Sequence, residues 1–133
     1  MKYCPICGES IKHTTKSMAY NYKGGSITLE QPCEYCNSCN ESFLSKEDIN
    51  ATKKELADFK RGIDHLLKTS EIKRIRNKIH LTQKEAADLF GGGVRAFHKY
   101  ETGENSQNKP LDILLRLIDQ NKISIDDIKK VAC

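Results

Sequence analysis

The sequence predicts an α+β chain that is mainly helical. A small β module with two cysteine pairs and one helix is followed by a domain of five helices. Two observations predict this fold class. The first half carries two Cys-x-x-Cys pairs with β-prone residues between them, whereas the second half carries apolar residues at helical spacing behind capping residues. The expected domains are residues 1–68 and 69–133.

Length and composition restrict the class of protein. The chain has 133 residues, no Trp and 38% hydrophobic residues, so each core must be small. The net charge of +4 is compatible with a nucleic-acid partner. The first ten residues lack an apolar leader and no stretch is apolar enough to span a membrane, so we expect a cytoplasmic protein with no membrane partner. In a reducing cytosol, six cysteines favour metal over disulfides.

The cysteine pairs predict a zinc site. In each pair the two-residue gap lets both thiolates face one ion, and two pairs supply the four soft ligands of a closed tetrahedral Zn²⁺ site. The expected ligands are Cys4, Cys7, Cys36 and Cys39. No internal repeat stands out along the chain.

Cys33 leaves an alternative open. It forms a third Cys-x-x-Cys with Cys36, so Cys33 and Cys36 could replace Cys36 and Cys39. We favour the latter pair because Asn40-Glu41 resembles the exit of a zinc knuckle. The role of Cys33 stays open, and Cys133 is expected to be a free thiol.

The insert between the cysteine pairs predicts a β-hairpin. Residues 17–22 and 26–30 are β-prone and are separated by Lys23-Gly24-Gly25, a sequence that favours a tight turn. A small antiparallel sheet with zinc at its base, a zinc-ribbon-like module, follows from this arrangement.

A long helix is expected next, over residues 45–68, with Ser45 and Asp48 as an N-cap pair. Its apolar stripe is expected to pack on the zinc module and comprises Ile49, Leu56, Phe59, Ile63, Leu66 and Leu67. Ser70 is expected to cap a further helix over residues 71–79.

Residues 82–103 predict a helix-turn-helix. Thr82 and Glu85 form a capping box for the first helix, and the glycines at 91–93 break it. Apolar residues recur at three-residue spacing in the second helix, and they predict its buried face: Val94, Phe97 and Tyr100.

This helix-turn-helix supplies the candidate DNA contacts. We expect Arg95 and Lys99 to read base edges and Gln83 and Lys84 to hold phosphates. His98 suits either task. Val94, at the start of the second helix, is included in the DNA-contacting set.

Two helices complete the second domain. One covers residues 111–120 behind Pro110, and the other covers residues 125–131 behind a Ser124 and Asp127 cap. Their apolar surface is expected to form a homodimer, with each copy binding half of a DNA palindrome.

These motifs resemble two known families. Leu81-Thr82-Gln83 and the ending from Tyr100 to Gly103 resemble the Xre (Cro/CI-like) helix-turn-helix family. The further presence of Cys-Pro-x-Cys, of residues 35–42 and of the sequence Phe-Gly-Gly-Gly-Val at 90–94 resembles the MqsA family of bacterial antitoxins. That resemblance implies a zinc domain that neutralises a cognate mRNA-cleaving ribonuclease toxin, and a C-terminal domain that dimerises, binds double-stranded operator DNA and represses the operon.

Toxin contacts are expected on the N-terminal half. The edge of a small sheet can recruit a partner strand, and tyrosine suits a binding surface. The expected residues are Tyr20, Tyr22, Lys60 and Arg61, the last two adding charge from the following helix.

A different function remains open on sequence alone. The alternative is a zinc-dependent or redox-sensing transcriptional regulator with no toxin partner, in which Cys33 is the candidate sensing thiol. An enzyme is not expected, because the sequence shows no nucleophile–base–acid set and no phosphate-cradling loop.

Overall fold

The computed structural model describes residues 2–132 and confirms the α+β class. Over that range it contains three strands and six helices. They are β1 (Lys12–Tyr22), β2 (Gly25–Tyr35), β3 (Ser42–Phe43), α1 (Lys46–Ile63), α2 (Thr69–Lys78), α3 (Gln83–Phe90), α4 (Ala96–Thr102), α5 (Lys109–Asp119) and α6 (Ile125–Ala132). Cys133, expected to be a free thiol, lies outside the described residues.

The chain divides into two compact units, Met1–Leu56 and Ala57–Cys133. The division falls within α1, ahead of the boundary that the sequence suggested after residue 68. That boundary, which concerns function, stays a prediction. Among residues 2–132, no helix is both long enough and apolar enough to cross a bilayer.

The hairpin of the N-terminal unit is longer than predicted. β1 and β2 pair antiparallel over 11 residues each, from Lys12 opposite Tyr35 to Tyr22 opposite Gly25. Only Lys23 and Gly24 form the turn, and both have positive φ, as a two-residue hairpin turn with the strands' twist requires. The sheet order is β1-β2-β3, and the short β3 was not predicted.

α1 begins as predicted and ends early. The Asp48 amide donates to Ser45 Oγ (3.1 Å) and the Ser45 amide donates to the Asp48 carboxylate (3.0 Å). The helix stops at Ile63, because His65 takes a left-handed conformation and the Leu66 amide donates back to the Arg61 carbonyl (2.9 Å).

The predicted apolar stripe of α1 is therefore wrong at both ends. Ile49 is 51% exposed. Leu66 and Leu67 lie beyond the helix, and Leu67 is buried in the core of the C-terminal unit.

The C-terminal unit has one apolar core, which α2 to α6 and the preceding segment form. Its buried members are Leu67, Ile72, Ile75, Leu81, Ala86, Ala87, Phe97, Leu111, Leu115 and Ile118. Five helices follow residue 68, as expected. Ser70 does not cap α2, because the helix already begins at Thr69, whose amide and hydroxyl donate to Asp58 (2.8 and 2.9 Å).

The turn between α3 and α4 combines a confirmed prediction with a correction. Thr82 and Glu85 form the complete capping box, and all three glycines at 91–93 have positive φ. Val94, however, precedes α4 and is 67% exposed, so placing it on the buried face was wrong. The helix begins only at Ala96, so the three-residue spacing does not extend back to Val94. Phe97 alone of the predicted face is fully buried.

Candidate functional site

The structure brings the four predicted cysteines together. The sulfur atoms of Cys4, Cys7, Cys36 and Cys39 all lie within 4.8 Å of one another. Cys4 Sγ is 3.6 Å from Cys39 Sγ, and Cys7 Sγ is 3.4 Å from Cys36 Sγ. These separations are far longer than a disulfide bond of about 2 Å. They are close to the spacing of about 3.8 Å that tetrahedral geometry gives for Zn–S bonds of about 2.3 Å.

Two knuckles of the same design hold these thiols. In the first, the Cys4 amide donates to the Glu9 carbonyl and the Gly8 amide donates to the Cys4 carbonyl (2.7 and 2.9 Å). In the second, Cys36, Glu41 and Asn40 repeat both bonds at 3.0 and 2.8 Å. Gly8 and Asn40 both have positive φ at the same step of the turn.

The sequence carries this repeat, so the expectation that the chain has no internal repeat was wrong. Residues 3–10 read Tyr-Cys-Pro-Ile-Cys-Gly-Glu-Ser, and residues 35–42 read Tyr-Cys-Asn-Ser-Cys-Asn-Glu-Ser. Its first and last residues pair in both copies, Tyr3 with Ser10 and Tyr35 with Ser42. The repeat itself favours Cys36 and Cys39 as the second pair, because Cys33 falls outside it.

Backbone amides tune the thiols. The amides of Cys7 and Ile6 point at the Cys4 sulfur and lower the pKa of Cys4 to about 7, against the effect of burial. The amides of Cys39 and Ser38 likewise lower the pKa of Cys36. At Cys39 the Glu41 amide lowers the pKa, but burial and the neighbouring thiols outweigh it and raise the pKa to about 12. In each knuckle the pKa of one thiol is thus lowered, which favours the thiolate form that binds a metal.

The donor set fits a metal ion. Four thiols at tetrahedral spacing form a soft-ligand cage of the kind that Zn²⁺ occupies in structural sites, with no position left for a reacting water. Cys33 is fully buried in β2 and does not belong to this group. The four cysteines could therefore hold an ion without it.

A second candidate site lies on α3 and α4. Lys84, Val94 and Arg95 are exposed, and His98 and Lys99 are half-buried. Among the described residues, the side chains of Lys84 and Arg95 have neither a hydrogen bond nor an ion pair. These cations are therefore available to a ligand.

Unlike Lys84 and Arg95, Gln83 makes a hydrogen bond within the protein. Its amide nitrogen lies 3.3 Å from Glu101 Oε1, and Glu101 also accepts two bonds from Arg76 on α2 (2.7 and 2.9 Å). Arg76 donates a third bond to the Leu81 carbonyl (2.9 Å). This network joins the start of α3 to the end of α4.

The predicted toxin contacts differ in how exposed their side chains are. Tyr20 and Tyr22 are half-buried on one face of the hairpin, and the Lys23 ammonium lies 5.2 Å from the Tyr22 ring centroid. Lys60 is exposed on α1. Arg61 is 1% exposed and is enclosed within the C-terminal unit, which contradicts its assignment to an exposed contact surface.

An exposed apolar surface lies on α5 and α6. Val131 is 89% exposed and Ile113 is also exposed. Val131 also lines an open hollow of about 310 Å³, together with Leu114, Ile123, Asp127, Ile128 and Ala132. Contiguous apolar surface of this kind typically marks an interface.

Two comparisons with known proteins agree with these features. The family model described as the antitoxin component of the bacterial toxin-antitoxin system, MqsA, matches residues 1–129. The curated Antitoxin MqsA of Escherichia coli strain K12 is 36% identical over 131 residues, covering 95% of this chain and 98% of that protein.

Proposed function

This chain belongs to the MqsA family of antitoxin components of bacterial toxin–antitoxin systems, and we propose that it neutralises a cognate mRNA-cleaving ribonuclease and represses its own operon. In this proposal residues 1–68 bind Zn²⁺ and the toxin, and residues 69–133 form a homodimer on palindromic operator DNA. The protein acts in the cytoplasm by binding and not by catalysis.

The observation that carries the DNA-binding half is the set of available cations around the glycine turn. Folding normally pairs or solvates a cation, and exposed Lys and Arg beside a helix-turn-helix are suited to phosphates and guanine edges. We assign base contacts to Arg95 and Lys99, supported by Val94 and His98, and phosphate contacts to Gln83 and Lys84. The bond between Gln83 and Glu101 would orient the Gln83 amide.

The proposed zinc ion has a structural role. Bound by Cys4, Cys7, Cys36 and Cys39, it would join the two knuckles at the base of the hairpin. A unit of this size has few buried apolar residues, so metal binding would supply much of its folding free energy.

The proposed toxin contact is the free edge of β1. β1 is 11 residues long and lies at one side of the sheet, so its outer backbone groups have no strand partner within the described residues. Such an edge can accept a strand from another protein. Tyr20 and Tyr22 would add side-chain contacts there. Lys60, which belongs to the other unit, would be a separate charged contact for the toxin.

The proposed dimer contact is the apolar surface of α5 and α6. A symmetric pair of copies places the same patch on both sides of the interface. Burial of Ile113 and Val131 would then remove two exposed apolar side chains of this unit from water.

The direct test is co-purification of the zinc-loaded chain with the ribonuclease encoded by a neighbouring reading frame, followed by an mRNA-cleavage assay. We expect a stable complex and loss of cleavage. A Tyr20→Ala, Tyr22→Ala double variant should weaken the complex, whereas Asn21→Ala, on the other face of β1, should not. If the chain leaves cleavage unchanged at excess concentration, toxin neutralisation is wrong.

DNA binding is tested separately, with a duplex from the promoter upstream of the gene. Arg95→Ala should weaken binding to this duplex by about 1–3 kcal/mol and binding to a random duplex much less. An equal loss on both would make Arg95 a phosphate contact.

The redox-sensing alternative gains no support from the geometry. It relies on Cys33 as a reactive spare thiol, but that side chain is fully buried and lies outside the four-thiol group. Reactive cysteines are normally accessible.

A further inference from the structure

Arg61 is the largest fully buried side chain among the described residues, and it is charged. It lies near the end of α1, in the part of that helix that belongs to the C-terminal unit. Its Nη2 donates to the Tyr100 carbonyl (2.9 Å) and to the Asn105 carbonyl (2.7 Å). Its Nε donates to Gln107 Oε1 (3.3 Å). One guanidinium thus binds the end of α4 and the loop that follows it.

The Tyr100 carbonyl is one that the fold would otherwise leave poorly satisfied. The last carbonyls of a helix have no partner within the helix, and they carry its negative dipole end. Tyr100 lies in the last turn of the seven-residue α4. A cation with several N–H donors in one plane is well matched to carbonyls that diverge from a helix end.

The glycine turn that precedes α4 does not by itself fix the direction of this helix. Gly91, Gly92 and Gly93 all have positive φ, and glycine backbones restrict the chain least. Because α4 is short, its orientation depends on contacts made along it and at its end. Phe97 anchors its middle in the core, and Arg61 and the Arg76–Glu101 pair hold its end.

Stability alone does not explain a guanidinium in this place. Burying a charge is costly, and an apolar residue of similar volume often stabilises a core as well or better. The nearest carboxylate, on Asp58, is 3.8 Å from Nη1, and that nitrogen is without a hydrogen bond among residues 2–132. This side chain instead supplies three directional hydrogen bonds to groups around the end of α4.

We propose that Arg61 is a positioning residue for DNA recognition, holding α4 at the angle at which its side chains meet base edges. This inference rests on the proposed DNA-binding function. Base readout tolerates little displacement, because contacts made by a recognition helix must be held within about 0.5 Å. Phosphate contacts, which tolerate more, would be affected less.

The test uses the full zinc-loaded chain and two fluorescent duplexes of equal length, the gene's own promoter and a random sequence. We expect Arg61→Met to weaken promoter binding about tenfold or more, which is the size of loss expected when a base contact made by α4 is misplaced. Binding to the random duplex should change less than about twofold, so the preference for the promoter should fall. Arg61→Lys should recover part of that preference.

Hydrogen exchange provides a second readout. The amides of Glu104 and Asn105 donate to the Lys99 carbonyl, next to the groups that Arg61 holds. In Arg61→Met these amides should exchange faster, while amides in α5 keep their protection. If Arg61→Met does not fold, the same two readouts on Arg61→Lys decide the matter, and an unchanged promoter preference in that variant would overturn the proposal.

Two control variants separate positioning from charge and from stability. Arg74→Met removes the same charge from an exposed arginine that pairs with Asp119, and it should leave the promoter preference unchanged. Ile118→Ala lowers stability through a core residue of α5. If Ile118→Ala lowers stability as much as Arg61→Met does, and also reduces the promoter preference as much, the role of Arg61 is only structural.

The remaining outcomes are also distinguishable. An equal loss on both duplexes, with the salt dependence reduced by about one phosphate contact, would make Arg61 itself a phosphate ligand and overturn the proposal. If the unmodified chain shows no preference for the promoter, the proposed DNA-binding function fails instead.

Discussion

Arg76 and Glu101 form a two-point ion pair between α2 and α4. The guanidinium donates from Nε to Oε2 (2.7 Å) and from Nη2 to Oε1 (2.9 Å), and both side chains are largely shielded from solvent. The carboxylate raises the pKa of Arg76 through these bonds. The Arg76 guanidinium therefore keeps its charge, and the stability that the pair contributes depends on both partners being present.

Removing one partner should be costly. Arg76→Met leaves the Glu101 carboxylate buried without its cation, and we expect the free energy of unfolding to fall by about 3–5 kcal/mol. Urea unfolding followed by circular dichroism, with zinc present throughout, measures this loss. A second change, Glu101→Leu, should restore much of the stability because no unpaired charge then remains.

The matched control is Arg74→Met. Arg74 makes a bidentate pair with Asp119 at 2.8 and 2.9 Å, but this pair is exposed. Its loss should cost about 1 kcal/mol or less. Equal losses for the two arginine variants would show that shielding from solvent does not determine the strength of these pairs.

A second prediction concerns pH and the N-terminal unit. His13 Nε2 lies 3.0 Å from Asp48 Oδ1, a hydrogen bond that raises the pKa of His13 above 6.5 and lowers that of Asp48. Because the folded state holds the histidine proton more tightly, this contribution is fully present below pH 6.5 and is lost as pH rises through the folded pKa.

The stability that His13 adds, measured as the difference in resistance to unfolding between the unmodified chain and His13→Gln at one pH, should therefore be larger at pH 6 than at pH 8. An NMR titration of the His13 ring measures its pKa directly, and Asp48→Asn should return it towards 6.5. A His13 pKa that is the same in both proteins would contradict the assigned pair.

Local signals in the sequence predicted the helix starts well. The capping partners in the pairs Ser45–Asp48, Thr82–Glu85 and Ser124–Asp127 stand three residues apart, so their geometry depends on little else. The four thiols were also predictable, because the spacing within each pair is local and both pairs must reach one ion.

Long-range contacts were not predictable in this way. Arg61 has the charge of a surface residue, and only the folded chain places it beside carbonyls some forty positions later. Val94 stands three residues before Phe97, and this spacing placed it on the buried face, but the helix begins only at Ala96. β3 is two residues long, too short for a period-two pattern.

A third prediction separates the cysteines. Cys39→Ser should lose bound zinc, because a hydroxyl replaces one of four thiolates, whereas Cys33→Ala should retain it. Metal analysis and mass spectrometry under native conditions measure the zinc content of each variant. Retention of zinc by Cys39→Ser together with its loss from Cys33→Ala would reverse the ligand assignment.

A chelator strong enough to remove the ion extends this prediction. The N-terminal unit should lose its sheet, since an apparent binding free energy of roughly 10–16 kcal/mol is typical of small structural zinc sites. The C-terminal unit has its own apolar core and should keep its helices. NMR amide signals from α2 to α6 that disappear along with those of β1 and β2 would contradict this independence.

The last prediction concerns where the C-terminal unit begins. A fragment of residues 57–133 should be more stable than one of residues 70–133, because the segment before α2 is built into the core. The Leu67 amide donates to Asp112 Oδ1 (2.7 Å), and its carbonyl accepts from the Gln107 amide group (3.0 Å). Its side chain is buried. Removing a buried leucine alone costs about 2–5 kcal/mol, so the shorter fragment should unfold at clearly lower urea concentration.

Leu67→Ala in the longer fragment should reproduce part of that loss. Identical unfolding midpoints for the two fragments would mean that residues 57–69 contribute nothing to this unit and that the boundary expected after residue 68 also holds for stability.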